Sequence, residues 1–208
     1  MQSQKISSYI LAAAIVLLLP LVAIFEHKEN PTWSTRLFAP AVVSEPNRHT
    51  PAITAGTFLP PIIQKNTTLT AAQNPVISSH MTEVAPTATL TINPGVNIYT
   101  HEYAGLLVKG SLTIAGTEAE PVTFTTNETN KVNQFWAGLI TVSGGKTSIN
   151  HARIAFASPA ISCAQGSIVN LKNSQLEDGN TGIWQDSPNC SSEHITYKRI
   201  RDNIIIIK

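Results

Sequence analysis

A chain of 208 residues can hold one ordinary domain, or a smaller domain with long appendages. Only 13% of the residues are charged and the net charge is +1. The Lys and Arg are scattered, which excludes the basic surface by which proteins grip nucleic acid.

The first element runs from Tyr9 to Phe25, 17 consecutive uncharged positions rich in Leu, Ile, Ala and Val. Lys5 precedes it, and Glu26, His27, Lys28 and Glu29 follow. A run of this length is at the lower limit for crossing a bilayer, with Pro20 as a kink. The charge of Lys5 and the N-terminal amine holds the start of the chain in the cytoplasm and sends everything after Phe25 outward. Leu21-Val22-Ala23 is a weak cleavage site, so residues 1–25 are read as a signal peptide or a signal anchor, the anchor being favoured because a tether follows. The expected location is the periplasm or cell exterior, membrane-anchored through residues 9–25, or secreted if that segment is cleaved.

Residues 26–85 are rich in Pro, Thr, Ser, Ala and Asn and keep no period of 3.6 or 2. Eight of the 13 prolines lie between Pro31 and Pro86, whereas ten of the 11 glycines lie after Pro86. The segment is therefore read as a disordered linker, reaching on the order of 45 Å as a flexible coil. An alternative is that residues 75–84 cap the first coil of the domain behind it.

From Pro86 the chain repeats. Leu90-Thr91-Ile92 recurs as Leu112-Thr113-Ile114 after 22 residues, and Ala160-Ile161 recurs as Gly182-Ile183 after 22. In the same pair of segments Ile149, Ala152 and Ile154 map onto Leu171, Ser174 and Leu176. Gly105-Leu106 maps onto Gly138-Leu139 after 33, the excess being assigned to an inserted polar loop from Thr126 to Gln134. A constant period of strand triplets, separated by Gly, Asn, Asp and Pro, is what a β-solenoid requires. No apolar stripe runs at i, i+3, i+4, i+7, so helical repeats are excluded. A β-sandwich gives no reason for a constant shift.

The residues Thr87 to Val96, Gly105 to Leu112, Gly116-Thr117 and Pro121 to Thr125, with Trp136-Ala137-Gly138-Leu139 as a W-x-G-I strand, resemble the opening coils of the pectin-lyase-like superfamily. The resemblance covers roughly Pro86 to Gln185. It implies an all-β fold, a right-handed parallel β-helix of about five coils over residues 86–208, in a secreted or surface setting. It implies no particular reaction, because the superfamily holds lyases, hydrolases and proteins with no known chemistry.

The period sets which side chains point inward. Leu106, Leu139, Ile161 and Ile183 form one inward column, and Val108, Thr141, Cys163 and Gln185 form a second. Leu107, Ile140, Ser162 and Trp184 face out between them, as do Tyr103, Trp136, Ser158 and Asn180 just upstream. Tyr103, Trp136 and Trp184 thus form a candidate carbohydrate-binding face, since flat aromatic rings stack on sugars. The alternative is that the 126–134 loop or the linker folds over them.

Candidate catalytic residues are absent. Of the acids after Pro86 only Glu177 and Asp178 adjoin, and neighbours on a strand point to opposite faces. The galacturonase-like patterns of paired Asp, Gly-His-Gly and Arg-Ile-Lys are missing, Arg199-Ile200-Arg201 approximating the last alone. The six histidines show no ligand spacing, so no metal or other cofactor is expected. Cys163 and Cys190 are a candidate disulfide in an oxidising compartment, Cys163 serving equally well as a small buried thiol. The C-terminal run Asn203 to Lys208 carries four isoleucines and reads as a sticky edge, either because the chain continues in a longer product or because it pairs with another copy. The functional expectation is an exported structural or recognition module that contacts envelope glycans without catalysis of its own. The alternative is a polysaccharide lyase or glycoside hydrolase.

Overall fold

The computed structural model describes residues 56–128, 131–132 and 134–207. Residues 1–25, expected to insert in a membrane, and the first part of the expected linker lie outside them. Among the described residues no helix is long and apolar enough to cross a membrane.

Every named strand pairs in parallel with the strand one coil away, as a β-solenoid demands. Coil 1 holds β1 (Thr57–Phe58), β2 (Ile62–Ile63) and β3 (Thr67–Leu69); coil 2 holds β4 (Val76–Ser78), β5 (Met81–Val84) and β6 (Thr89–Ile92). Coil 3 holds β7 (Asn97–Thr100), β8 (Gly105–Val108) and β9 (Ser111–Ala115); coil 4 holds β10 (Val122–Thr125), β11 (Leu139–Thr141) and β12 (Lys146–Asn150). Coil 5 holds β13 (Ala152–Ala155), β14 (Ile161–Cys163) and β15 (Ile168–Lys172); coil 6 holds β16 (Gln175–Gln185) and β17 (Cys190–Glu193). The eleven-residue β18 (Thr196–Ile206) begins a seventh turn.

These strands stack into three faces. Face A is the column of β1, β4, β7, β10 and β13; face B is that of β2, β5, β8, β11 and β14; face C is that of β3, β6, β9, β12, β15 and β17. β16 runs through the corner between A and B, joining the two faces into one twelve-stranded sheet, and β18 pairs along it. The parallel β-solenoid expected from the period, which the resemblance implied to be a right-handed β-helix, is the fold observed.

Its beginning differs from the expectation. Among the described residues the solenoid is already present from Thr57 and not only from Pro86, so about 30 residues read as linker belong to coils 1 and 2, and about seven turns are described instead of five. Four of the five strands in that stretch are only two or three residues long, too short to show a period. Pro60, Pro61 and Pro75 fall between strands, where the missing N–H is not needed by a ladder.

The core is a set of aliphatic stacks. Val76, Ile98, Phe124, Ile154 and Leu176 succeed one another inside face A, and Leu69, Ile92, Ile114, Ile149 and Leu171 inside face C. Inside face B, Leu106, Leu139, Ile161 and Ile183 align in the register that the 22-residue shift requires. All are buried, and each contributes about 1.5–3 kcal/mol by leaving water. Gly138, at φ +80°, is needed for close approach: a Cβ there would lie 2.0 Å from the Pro159 carbonyl oxygen.

Two corners are built from residues in the left-handed region. His151, Asn173 and His194 turn the chain from face C to face A, and Phe156, Asp178 and Arg199 turn it from A to B. Each ladder recurs once per coil. Among the described residues β18 pairs only with β16, and Ile204, Ile206 and Ile207 are exposed.

Candidate functional site

The three aromatics expected to share an outer face do not. Trp136 is 2% exposed; its ring stacks on Phe124 and its Nε1–H donates to the Ala155 carbonyl at 2.8 Å. The outward register fails by one residue here. Leu139 pairs with Ile161, a shift of 22, but Trp136 bridges Ala157, a shift of 21. Coil 5 carries one more residue than coil 4 over the same arc, in the Ser158-Pro159-Ala160 bend. Tyr103 is largely exposed in the A-to-B corner of coil 3, and Trp184 is half-exposed on face B of coil 6. Three coils of about 4.8 Å separate those two, so the trio supplies no continuous platform.

Another group of side chains does come together, on the outside of face A. Asn97, Thr123, Arg153, Gln175 and Thr196 form a polar column across coils 3 to 7. Beside it Ala155, Glu177 and Lys198 form a second. Glu177 is only 4% exposed, and it is held there by donors: Arg153 Nε to one carboxylate oxygen, and Gln175 Nε2 to the other at 2.8 Å. Arg199 Nη2 stands 3.8 Å from the second oxygen. A buried carboxylate so enclosed is compensated for the water it has lost.

Asp178 joins the same cluster, contrary to the alternation expected of strand neighbours. Its φ of 55° interrupts the alternation, so that Glu177 and Asp178 both approach Arg199. Arg199 grips Asp178 with two parallel hydrogen bonds, from Nε and from Nη2, the latter at 2.7 Å. That grip holds the Asp178 carboxyl below its ordinary range and raises Arg199. Lys131, on the inserted loop, sits 5.3 Å from the centre of the Phe156 ring at the rim of the cluster.

Arg153 therefore stands between two recesses. One, of about 310 Å³, is bounded by Thr123, Lys131, Arg153, Phe156 and Glu177. The other, of about 470 Å³, lies toward the C-to-A corner between Glu118, His151, Arg153, Gln175 and His194. Among the described residues no three His, Cys, Asp or Glu side chains are grouped to hold a metal ion.

A family model described as a pectate-lyase-like β-helix domain matches residues 62–174, more than half of the chain. The chain belongs to this family. No match was found among curated proteins or solved structures. The stretch that matches the pectate-lyase-like β-helix domain starts in coil 1, within the segment that composition alone marks as linker, and ends at Ser174. Arg153 is inside it; Glu177, Asp178 and Arg199 follow it. The Arg153, Glu177 and Arg199 group was missed from sequence because its members are 22 to 24 residues apart and meet only once the coil register is known.

Proposed function

We propose that this pectate-lyase-like β-helix is an exported recognition module, anchored or released at its N-terminus, that lays a polysaccharide along face A across Arg153. The observation that carries the reading is the polar column Asn97, Thr123, Arg153, Gln175 and Thr196, with Arg153 half-exposed between two recesses. Amides, hydroxyls and a guanidinium at coil spacing offer the dense donors and acceptors that sugar hydroxyls need. The aromatic reading survives only at Tyr103 and Trp184, which are exposed but far apart.

The recognition reading is favoured over lyase or hydrolase chemistry by the state of the carboxylates. A glycosidase needs one carboxyl kept protonated as general acid and a second free as base or nucleophile. Here Asp178 is shifted the opposite way by Arg199, and both Glu177 oxygens are engaged by neighbours. The test is a binding screen of the purified chain against cell-wall and extracellular polysaccharides, with reducing-sugar and unsaturated-uronate assays run on the same samples. Retention on at least one polysaccharide without product is expected, with Arg153→Gln and Lys131→Ala each weakening it several-fold in folded protein. Product formation that depends on Glu177 or Asp178 would establish the enzymatic alternative instead.

A further inference from the structure

The inward stacks of face C lose their apolar character at coil 6. One stack, Leu90, Leu112, Thr147 and Val169, ends on Cys190, and the other, closing with Leu171, ends on Ser192. β17 reads Cys-Ser-Ser-Glu, with Cys190 half-buried and the other three exposed. It thus buries almost nothing to hold itself against β15. In a solenoid each coil is held only by its neighbours, so a coil without apolar burial is where the end opens.

Cys163 lies one coil below, on the adjoining face B. It ends β14, is wholly buried, and pairs with Gln185 across the sheet. Gln185 Nε2 donates to the carbonyls of Ser187 at 3.2 Å and Cys190 at 3.5 Å, tying the corner that carries the chain from β16 to β17. Ser187 Oγ donates to the Ser167 carbonyl at 2.8 Å, and Ser167 Oγ is 3.5 Å from Cys163 Sγ. These bonds fold the corner back so that Cys190, its carbonyl bound to the Gln185 amide, packs against the core that holds Cys163, with which Gln185 is paired in register. Burial, then the Cys163 thiol, pushes the Cys190 thiol above its ordinary range, so that exchange beginning at Cys190 is slow and needs an added oxidant.

We propose that Cys163 and Cys190 close a disulfide that staples coil 5 to coil 6, replacing the packing that β17 lacks. A disulfide oxidant such as oxidised glutathione supplies the chemistry. It forms a mixed disulfide at half-buried Cys190 and releases one glutathione. The Cys163 thiolate then attacks the Cys190 sulfur and the second glutathione leaves, so two thiols give up two protons and two electrons while one oxidised glutathione becomes two thiols. With its pKa raised, the Cys190 thiol is a poor leaving group, so the closed bond resists reduction by exchange.

The test uses the full chain, refolded in a glutathione redox buffer, then denatured and alkylated with and without reductant. No free thiol and one intramolecular link between the Cys163 and Cys190 peptides are expected. Reduction should lower Tm by about 10 °C and speed amide exchange more than tenfold in β17 and β18. Cys190→Ser should match the reduced protein and be indifferent to reductant. Two free thiols after oxidation, a link between chains, or a link whose reduction leaves exchange in β17 unchanged would each overturn the proposal.

Discussion

Trp136 lies flat against Phe124, with ring centroids 5.8 Å apart and planes 14° from parallel. Phe124 belongs to the inward stack of face A, so the indole is part of the core of coil 4 and also satisfies the Ala155 carbonyl. Trp136→Ala should cost about 3–5 kcal/mol, through the cavity and the orphaned carbonyl. Trp184→Ala, at a half-exposed ring, should cost about 1 kcal/mol. Urea midpoints of the two variants decide the matter, and equal losses would contradict the placement of Trp136.

The face B register makes a sharper demand on neighbouring positions. Ile161 and Ile183 face inward in successive coils, and Ser162 between them faces out. Ile161→Asp and Ile183→Asp each bury a carboxylate without a partner, at about 4 kcal/mol or more. Both should prevent folding, as read by far-UV circular dichroism and protease resistance. Ser162→Asp should fold within about 0.5 kcal/mol of the parent.

That register was legible in the sequence because Leu106, Leu139, Ile161 and Ile183 each sit in a short run of alternating residues. The A-to-B corner was not. Phe156, Asp178 and Arg199 adopt positive φ without being glycine, and nothing in their residue type announces it. One residue of this kind resets which side the next side chain faces. The convergence of Glu177 with Asp178 was hidden by this geometry, whereas the outward assignment of Trp136 failed on the extra residue of the Ser158-Pro159-Ala160 bend. Coils 1 and 2 were hidden differently: Thr57–Phe58 and Ile62–Ile63 are two-residue strands parted by Pro60-Pro61, a pattern that also suits an extended linker.

The Asp178 and Arg199 pair gives the protein a predictable response to acid. The folded-state pKa of Asp178 is lowered from its ordinary value of 3.8, chiefly by the hydrogen bonds from Arg199. Its stabilising contribution is therefore complete above that value and is lost as pH falls through the lower folded value. Arg199 is largely exposed, so the contribution is screened by solvent and small. The stability gap between the parent and Asp178→Asn should be present at pH 6 and close below pH 3.8. A gap that instead widens on acidification would show that another group carries it.

Arg153 and Glu177 should show strong energetic coupling. The Glu177 carboxylate is almost fully buried, while Arg153 reaches out from it with about half of its side chain in solvent. Arg153→Ala leaves a buried charge with Gln175 and the more distant Arg199, and should cost about 3–5 kcal/mol. Glu177→Ala frees an exposed guanidinium to be hydrated, so most of its cost is the lost packing of the side chain, about 1–2 kcal/mol. The double variant should be no less stable than Arg153→Ala alone, because removing the carboxylate relieves the uncompensated charge. A coupling energy of about 2 kcal/mol in the urea-unfolding cycle is the expected outcome. Additive losses would mean that water reaches Glu177 freely, and would remove the reason for treating face A as a preorganised surface.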